Sequence, residues 1–439
     1  MNLSGKRIAV LGAGGSGFAA ATLALSHGAF VAAFDSGDPG KLAPAVEKFG
    51  SIGVELTCGD EALVTEERFD CTVISPGIDA SWPIARVYAE ASDELIGEIE
   101  FAWRMSDVPV IAITGTNGKT TTTSLVAEML KAAGLRATAA GNIGLAYSEV
   151  VNGQESLDWI VLEVSSFQLE TIDRFAPRVA VWMNFAPDHM DRYATVEEYR
   201  DAKLRIFRNA GPETLAITKW EEGFDFPNSR TFSAFGEGGD FTYRDGMIES
   251  EGGEPFDFHA CELHGKHNAE NVMVALAIAE FLSLSRDSIA PAIEGFRAPR
   301  HRCEKVAVID GVTWVNDSKS TNLHSLESAL AGQESPVVLI VGGKEKGLDF
   351  SELNGLVANG VKAAVCIGEI SEAIANEWAA ITHTACASSV ETAVDLAAKA
   401  AAPGDVVLFS PGTSSFDMFR GYEERGDAFR DAVLSLETA

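Results

Sequence analysis

At 439 residues the chain has room for about three domains of ~150 residues each. Its net charge of −30, from 34 Lys and Arg against 64 Asp and Glu, argues against general binding to nucleic acid or to an anionic membrane surface. Hydrophobic residues make up 46%, enough for sizeable cores, and no run of ~18 apolar residues or basic, apolar leader occurs. A soluble, cytoplasmic protein without membrane insertion is expected, acting as a monomer. The six cysteines, Cys58, Cys71, Cys261, Cys303, Cys366 and Cys386, form no Cys-x-x-Cys pair, so structural thiols in a reducing compartment are expected.

Residues 6–11 read as a first strand. Gly12-Ala13-Gly14-Gly15-Ser16-Gly17 follows, then a helix that Gly28 ends. A second strand, 30–34, runs into Asp35. Strand, glycine turn, helix, strand, acid is close to the dinucleotide fingerprint. Three readings share its physics: a nicotinamide dinucleotide, the pyrophosphate of a UDP-sugar with Asp35 on ribose or uracil, or a tight turn without ligand. A further strand, 71–74, leads to Ser75-Pro76-Gly77 at the ligand edge of such a sheet. A short helical pattern near 96–104 sets a domain boundary at about residue 97.

Residues 110–113 form an apolar strand that breaks into Thr114-Gly115-Thr116-Asn117-Gly118-Lys119-Thr120-Thr121. An amphipathic helix with Leu125, Val126, Met129 and Leu130 on one side follows, and Gly134 stops it. This is the layout of a phosphate-binding loop, in which backbone N–H groups and a helix N-terminus cradle phosphate, the Lys adds charge and the Thr hydroxyl reaches Mg²⁺. The usual earlier glycine position holds Ile113, and Gly115 comes two residues later, so the loop is a variant. An ordinary strand-to-helix turn is the alternative.

Downstream, Gly141-Asn142-Ile143-Gly144 follows a short strand, and an apolar strand at 159–162 ends on Glu163. An acid there is placed for a Mg²⁺ ligand, against the plainer reading of a surface carboxylate. A strand at 179–183 leads to Asp188-His189-Met190-Asp191, where the flanking acids favour a metal or phosphate role over a structural histidine. Thr195 and Glu198 form a capping box for a helix whose Val196, Tyr199, Ile206 and Phe207 share one face with Lys203. A lysine on that stripe either snorkels or has a depressed pKa and does chemistry. A neutral amine beside a metal can add CO₂ and become a carbamate, an oxygen ligand.

Residues 221–255, rich in Gly, Asp and Glu, read as a hairpin-bearing excursion. His267-Asn268-Ala269-Glu270-Asn271 then opens a helix over 272–282. Asn271 on that apolar helix implies a buried partner, a ligand or a cap. A basic stretch at 296–302 sets a second boundary at about 300. A hairpin follows, 306–309 and 312–315, turned by Asp310-Gly311. Strands at 337–341, 363–367 and 406–409 each end in a glycine or serine loop. The fold class expected is α/β in three domains: an N-terminal Rossmann-like domain (1–97), a central P-loop ATPase-like domain (98–300) and a C-terminal Rossmann-like domain (301–439).

The loop from Thr114 to Thr120, with His267, Asn268 and Asn271, Arg302, and Asn316-Asp317-Ser318-Lys319, resembles the Mur ligases, the ATP-dependent amide-forming enzymes of peptidoglycan synthesis. The stretches around Asn142, Glu163 to Glu170, Asp188 to Tyr193, Lys203 and Ser410 to Phe419 are similar to the members that join D-glutamate to UDP-N-acetylmuramoyl-L-alanine. The resemblance covers all three domains. It implies ATP, two Mg²⁺ sites and a carbamate from CO₂ on Lys203, with an acyl phosphate as intermediate. It implies that Gly115, Thr116, Asn117, Gly118, Lys119, Thr120, Thr121, Asn271, Arg302, Asp317 and Lys319 bind ATP. Lys119, Glu163, His189 and Lys203 would be catalytic, and Thr120, Glu163, His189 and carbamylated Lys203 would hold metal. The first domain would be a UDP-binding one. Gly14, Ser16, Gly17, Asp35, Ser75, Gly77, Asn142, Ser165 and Gln168 would meet the UDP-substrate, while Thr321, Lys346, Ser415 and Tyr422 would meet D-glutamate. Gly37 stands where some relatives have a basic residue near the uracil, and Lys344 competes with Lys346 for the amino-acid contact.

A nicotinamide-dependent oxidoreductase would explain the first 35 residues and leave the phosphate loop unexplained. A non-catalytic nucleotide-binding protein would not need Glu163, His189 and Lys203 together. Within the family, a ligase for another amino acid is the alternative; a folate-polyglutamating enzyme would lack the UDP-binding first domain.

Overall fold

The computed structural model describes residues 1–153, 156–190, 192–251, 253–298, 300–333 and 335–436. Contacts divide the chain into two compact units, Met1–Phe256 with Glu270–Ile293, and Asp257–Ala269 with Glu294–Ala439. The first unit holds two sheets and the second unit a third.

The first sheet contains β1 (Arg7–Leu11), β2 (Phe30–Asp35), β3 (Leu56–Cys58), β4 (Cys71–Ile74) and β5 (Leu95–Gly97), in the order β3-β2-β1-β4-β5, all parallel. Strands buried on both faces by crossover helices need apolar runs, and the four residues Ile8–Leu11 of β1 are all buried. The strand order reverses between β1 and β4. That switch point is where an open α/β sheet leaves a crevice at its carboxyl edge, and the glycine loop after β1 and Ser75 after β4 both lie there.

The second sheet contains β6 (Val110–Thr114), β7 (Ala137–Gly141), β8 (Trp159–Glu163), β9 (Val179–Trp182), β10 (Leu215–Lys219), β11 (Ser229–Ser233), β12 (Phe241–Arg244), β13 (Met247–Ser250) and β14 (Phe256–Asp257). Its order is β14-β13-β12-β11-β10-β9-β6-β8-β7, parallel from β7 to β12 and antiparallel from β12 to β13. β6 is the hub. Its neighbours set Ile113 opposite Glu163 and Thr114 opposite Trp182, so the loops after β8 and β9 flank the loop after β6. Residues 221–255 are therefore more than an excursion: the hairpin is there, but its strands continue the central sheet. Residues 240–244 read as strand-like and do form β12, but pieces this short, broken by Gly, Asp and Glu, give no sign that they extend the central sheet.

The two sheets of this unit share one core, in which Ile8 and Val10 of β1 belong to the same apolar cluster as Ala112, Leu162 and Trp182. The segment after residue 97 is a fixed joint. Gly97 donates its N–H to the Thr171 carbonyl (3.1 Å). In the following helix (Glu98–Trp103) the buried Glu100 carboxylate accepts Arg104 Nε (2.6 Å) and the amides of Asp173, Arg174 and Phe175 (3.0, 3.0 and 2.8 Å). A carboxylate so filled is satisfied and costly to disturb.

The second unit is built on β15 (Glu304–Ile309), β16 (Val312–Asn316), β17 (Val337–Gly342), β18 (Val361–Ile367), β19 (His383–Ala387) and β20 (Val406–Phe409), ordered β15-β16-β20-β17-β18-β19. The hairpin β15–β16 is antiparallel and the other pairs are parallel. Asp310 (φ 50°) and Gly311 (φ 78°) turn the hairpin with two left-handed residues, as a two-residue turn between right-twisted strands requires. Among the described residues no helix is long and apolar enough to cross a membrane.

Candidate active site around the phosphate loop

In the loop after β6, Gly115 has φ +148° and lies so close to the next strand that a Cβ would sit 2.8 Å from Met183 Cβ. The helix Lys119–Ala132 starts behind it, with Gly118 as its cap at φ 81°. Asn184, after β9, locks the loop from the side. Its Oδ1 accepts the Asn117 amide (2.8 Å), its Nδ2 donates to the Asn117 carbonyl (3.2 Å), and its carbonyl accepts the Thr116 amide (3.0 Å). The buried Thr116 hydroxyl donates to the Ala186 carbonyl (3.1 Å). Asn271 accepts the buried Thr122 hydroxyl (3.0 Å), and its Oδ1 lies where a Cβ on Gly118 would come to 2.8 Å. So Asn271 has the buried partner its sequence position implied. Thr121 is buried within the first helical turn.

Two lysines converge on this loop. Lys119 folds back onto the carbonyls of Gly115 (3.0 Å) and Thr116 (2.8 Å). Lys203, on the helix Val196–Leu204, reaches the same Gly115 carbonyl at 2.8 Å and is only 2% exposed. That helix is N-capped by Thr195, whose side chain accepts the Glu198 amide (3.1 Å), while Glu198 reaches back to the Ala194 amide (3.0 Å). Of the predicted stripe, Tyr199, Ile206 and Phe207 are buried with Lys203 and Val196 is half-buried, but the helix ends at Leu204 and the 3₁₀ turn Arg205–Phe207 carries Ile206 and Phe207. Burial, then the charge of Lys119, push the pKa of Lys203 well below the usual lysine value, and Asp188 and Glu163 oppose this only in part. Its ammonium lies 4.7 Å from the centre of the Tyr199 ring.

Glu163 is 2% exposed, which excludes the surface-carboxylate reading. It accepts the Thr120 hydroxyl (2.5 Å) on one oxygen and Asn142 Nδ2 (2.8 Å) on the other. A hydroxyl and a carboxylate touching at the helix N-terminus are hard oxygen donors that fit Mg²⁺. Among the described residues no group of three or more His, Cys, Asp and Glu could hold a metal. A cation here would need oxygens from Thr120, from a modified Lys203 and from bound phosphate. His189 has φ 56° and its Nε2 lies 3.9 Å from Asp188. Its ring packs edge-on to Phe167 (4.9 Å) and Tyr199 (5.9 Å). Asp191 lies outside the described residues. Ser165 and Gln168 form a complete capping box for the short helix Ser166–Leu169.

In the first sheet, Gly14 caps the helix Gly15–Ser26 with open space about it, and a Cβ on Gly17 would run into the Gly12 carbonyl oxygen. Ser16 is half-buried in the first turn. Asp35 is occupied: its oxygens accept the amides of Ala13 and Gly37, both at 2.8 Å. It braces the loop. The Ser75 hydroxyl is covered and has no partner, and Gly77 is exposed just beyond it. Arg192 ties the first sheet's Asp79 (3.1 Å) to the central Glu170 (2.5 Å) and lies over Phe167.

In the second unit, Asp317 is buried after β16. It accepts the Cys303 amide (3.1 Å) and the Ser410 hydroxyl (2.8 Å), and burial raises its pKa to about 6. Lys319 stands 3.7 Å from the Tyr422 ring centre. Ser415 is buried, Arg302 and Thr321 are half-buried, and Lys344 and Lys346 are exposed. Arg425 was missed by the sequence reading. It is 1% exposed and donates to the carbonyls of Ser318 (2.8 Å) and Thr413 (3.1 Å), and burial lowers its pKa to about 10. The signal was present: Arg425, Phe429 and Val433 recur at helical spacing, and the last two are fully buried. Asn184 carried no such signal, because its partner lies 67 residues away.

Residues 113–279 match the family model of the Mur ligase middle domain, and residues 301–412 match that of the Mur ligase glutamate ligase domain. The chain is 41% identical to the UDP-N-acetylmuramoylalanine–D-glutamate ligase of Geobacter metallireducens, over 100% of this chain and 99% of that one. It is 38% identical to the ligase of the same name from Geotalea uraniireducens, again over 100% and 99%. Among solved structures, a UDP-N-acetylmuramate-alanine ligase from Thermotoga maritima superposes with TM-score 0.62 at 18% identity, covering 98% of this chain and 99% of that one. The MurF ligase of the same organism, in complex with ADP, gives 0.61 at 17%, covering 99% and 96%. At those identities the likeness speaks to the fold, an α/β architecture with three sheets.

Proposed function

The chain belongs to the Mur ligase family, and from that premise we propose that it joins D-glutamate to UDP-N-acetylmuramoyl-L-alanine, with ATP going to ADP and phosphate, in peptidoglycan precursor synthesis. The choice of D-glutamate rests on full-length relatives that carry that name. One observation carries the reaction class: Lys119 and Lys203 meet at the Gly115 carbonyl beside the Thr120–Glu163 pair.

The terminal carboxylate of the acceptor attacks the γ-phosphorus of ATP, giving an acyl phosphate and ADP. The amine of D-glutamate attacks the acyl carbon, an amide forms, and phosphate leaves. Negative charge gathers on oxygens in both steps, so the site must supply cations and N–H donors already in place. Lys119 exchanges its two carbonyl acceptors for the β- and γ-phosphate oxygens, which the amides of residues 115–121 also meet. A Mg²⁺ held by Thr120 and Glu163, and a second held by His189 and carbamylated Lys203, would neutralise phosphate oxygens. Burial shifts Lys203 toward the neutral amine, the form that adds CO₂. Asn142, held by Glu163, orients the acceptor.

In the same reading the first sheet binds the UDP moiety through Gly14, Ser16, Gly17, Asp35, Ser75 and Gly77, with Ser165 and Gln168 nearer the muramoyl group. Asn271, Arg302, Asp317 and Lys319 serve the nucleotide, and Thr321, Lys346, Ser415 and Tyr422 serve D-glutamate. Residues 1–97, 98–300 and 301–439 are then the acceptor, ATP and amino-acid domains of a cytoplasmic monomer. The test is phosphate release from ATP in the presence of UDP-N-acetylmuramoyl-L-alanine, with D-Glu against L-Glu, D-Ala and L-Lys. Release should require D-Glu; release independent of it overturns the assignment.

A further inference from the structure

Strands β18 and β19 close one side of the third sheet, and their register sets Cys366 directly opposite Cys386. Side chains alternate across a strand, so partners in register share a face. Neighbouring residues fix that face independently. Thr384, two before Cys386, donates its hydroxyl to the Ala375 carbonyl (3.3 Å) on the helix Ser371–Trp378. Ala364 and Cys366 belong to the apolar cluster that contains Ile374 and Trp378 of the same helix. Ile367 and Ala387, one residue on in each strand, belong to the cluster on the other face. Both thiols therefore belong to the sheet face that this helix packs on, Cys366 buried there and Cys386 exposed on the edge strand.

Adjacent strands run ~4.7–4.9 Å apart, within the ~4.4–6.8 Å Cα separation that disulfides span, and the ~3.5–4.5 Å Cβ separation of a disulfide requires the two strand ends to close slightly. Both cysteines are free thiols, Cys386 exposed and Cys366 buried. Burial, and then the neighbouring Cys386, push the Cys366 thiol up to about 12, so the exposed partner is the one an oxidant meets first.

We propose that Cys366 and Cys386 form a reversible dithiol–disulfide site, oxidised by a peroxide and restored by a small dithiol. The Cys386 thiol gives up its proton, the thiolate attacks one peroxide oxygen, the O–O bond breaks, and Cys386 becomes a sulfenic acid while the released hydroxide takes that proton as water. The Cys366 sulfur then attacks that sulfur and its proton goes with the departing hydroxide. Two thiols and one hydrogen peroxide give one disulfide and two waters.

The cross-link has a path to a ligand loop. Gly368, two residues past Cys366, packs so tightly that a Cβ there would come 2.6 Å from Gly343 Cα. The Glu345 amide donates to Glu369 (3.1 Å), and the Glu369 amide donates to Asp417 (3.0 Å). Drawing the ends of β18 and β19 together shifts the loop that carries Lys346, and the consequence for D-glutamate rests on the reading given under Proposed function.

The full-length protein treated with hydrogen peroxide, alkylated and peptide-mapped should yield a Cys366–Cys386 linked peptide. Dithiothreitol should remove it, and Cys386→Ser and Cys366→Ala should each lack it. A several-fold rise in KM for D-glutamate, with KM for ATP within twofold, should accompany oxidation and be absent in Cys386→Ser. Oxidation of Cys386 without the linked peptide overturns the site. A linked peptide with unchanged KM for D-glutamate overturns the coupling to the loop. The peptide map reads thiols alone, so it stands whatever amino acid the enzyme uses.

Discussion

The first unit contains two glycine loops built on the same plan. Each follows an inner parallel strand, each turns on a glycine of positive φ (Gly12 at 105°, Gly115 at 148°), and each feeds a helix N-terminus. Their surroundings differ. The first is braced by Asp35 through two amides and offers backbone N–H groups at an open Gly14. The second receives Lys119, Lys203, Thr120 and Glu163 within hydrogen-bond reach of one another's partners. Both loops can cradle a phosphate through amides and helix dipole. Only the second concentrates the charge that stabilises a transferring phosphoryl group. In the proposed reading, side chains from other strands and helices, more than the glycines, decide which loop holds and which one reacts.

The sharpest way to break that contrast is to remove Lys203. Lys203→Met keeps the volume and should lower kcat by roughly 10³-fold or more, beyond the ~10²–10³ typical of losing one preorganised donor. Its thermal midpoint should hold or rise, because a buried amine depressed by desolvation costs stability. Near-normal turnover in this variant would reduce the second loop to a holder like the first.

Next in size is a paired change in the first loop. In Gly17→Ala the new methyl group would meet the Gly12 carbonyl, so a loss of about 1–3 kcal/mol in denaturant unfolding is expected. Gly14→Ala meets nothing within 4 Å and should stay within about 0.5 kcal/mol of the parent. Both should raise KM for the UDP-substrate and leave KM for ATP alone. An equal rise in KM for ATP would mean that the loops are not separate devices.

Much of this contrast was legible in the sequence, because it is local. Strand, glycine turn and helix follow one another along the chain, and Tyr199, Ile206 and Phe207 are buried with Lys203 as expected, although the helix stops at Leu204 before the last two. The basic and acidic partners were legible as candidates at strand ends. Sequence reading fails where a partner is distant. Asn184 is an ordinary loop asparagine until β9 lies beside β6, and Glu100 is one more helical acid until the amides of residues 173–175 close on it. It also fails where strands are short or polar, as in β13 and β19, because two or three alternations carry little periodic signal. Asp35 shows a third limit. Its position matched a ribose or uracil ligand, and nothing local in the sequence showed that each of its oxygens also accepts an amide of the loop itself.

A smaller effect tests that bracing. Asp35→Asn has one acceptor oxygen in place of two, so either Ala13 or Gly37 loses its partner. A cost of about 1 kcal/mol is expected, since the exposed amide can turn to water. It should appear in the denaturation midpoint, and KM for the UDP-substrate should rise with it. An unchanged midpoint with weakened substrate would leave Asp35 a ligand without a bracing role.

The smallest effect belongs to Ser75, and it separates holding from bracing most cleanly. Its hydroxyl faces Gly12, where a Cβ would come to 2.7 Å, and it is covered and unpaired. A buried hydroxyl without a partner is a cost in the free protein, about 1 kcal/mol or more if nothing satisfies it. Ser75→Ala should therefore leave the midpoint unchanged or slightly raised, the opposite of Asp35→Asn. If the hydroxyl finds its partner only when the loop tightens on a pyrophosphate, the same variant should weaken UDP-substrate binding by about five- to tenfold, close to the worth of one hydrogen bond. Calorimetry with UDP-N-acetylmuramoyl-L-alanine reads both sides at once. A raised midpoint with unchanged affinity would make Ser75 a packing residue, and the first loop would then hold its ligand by backbone alone.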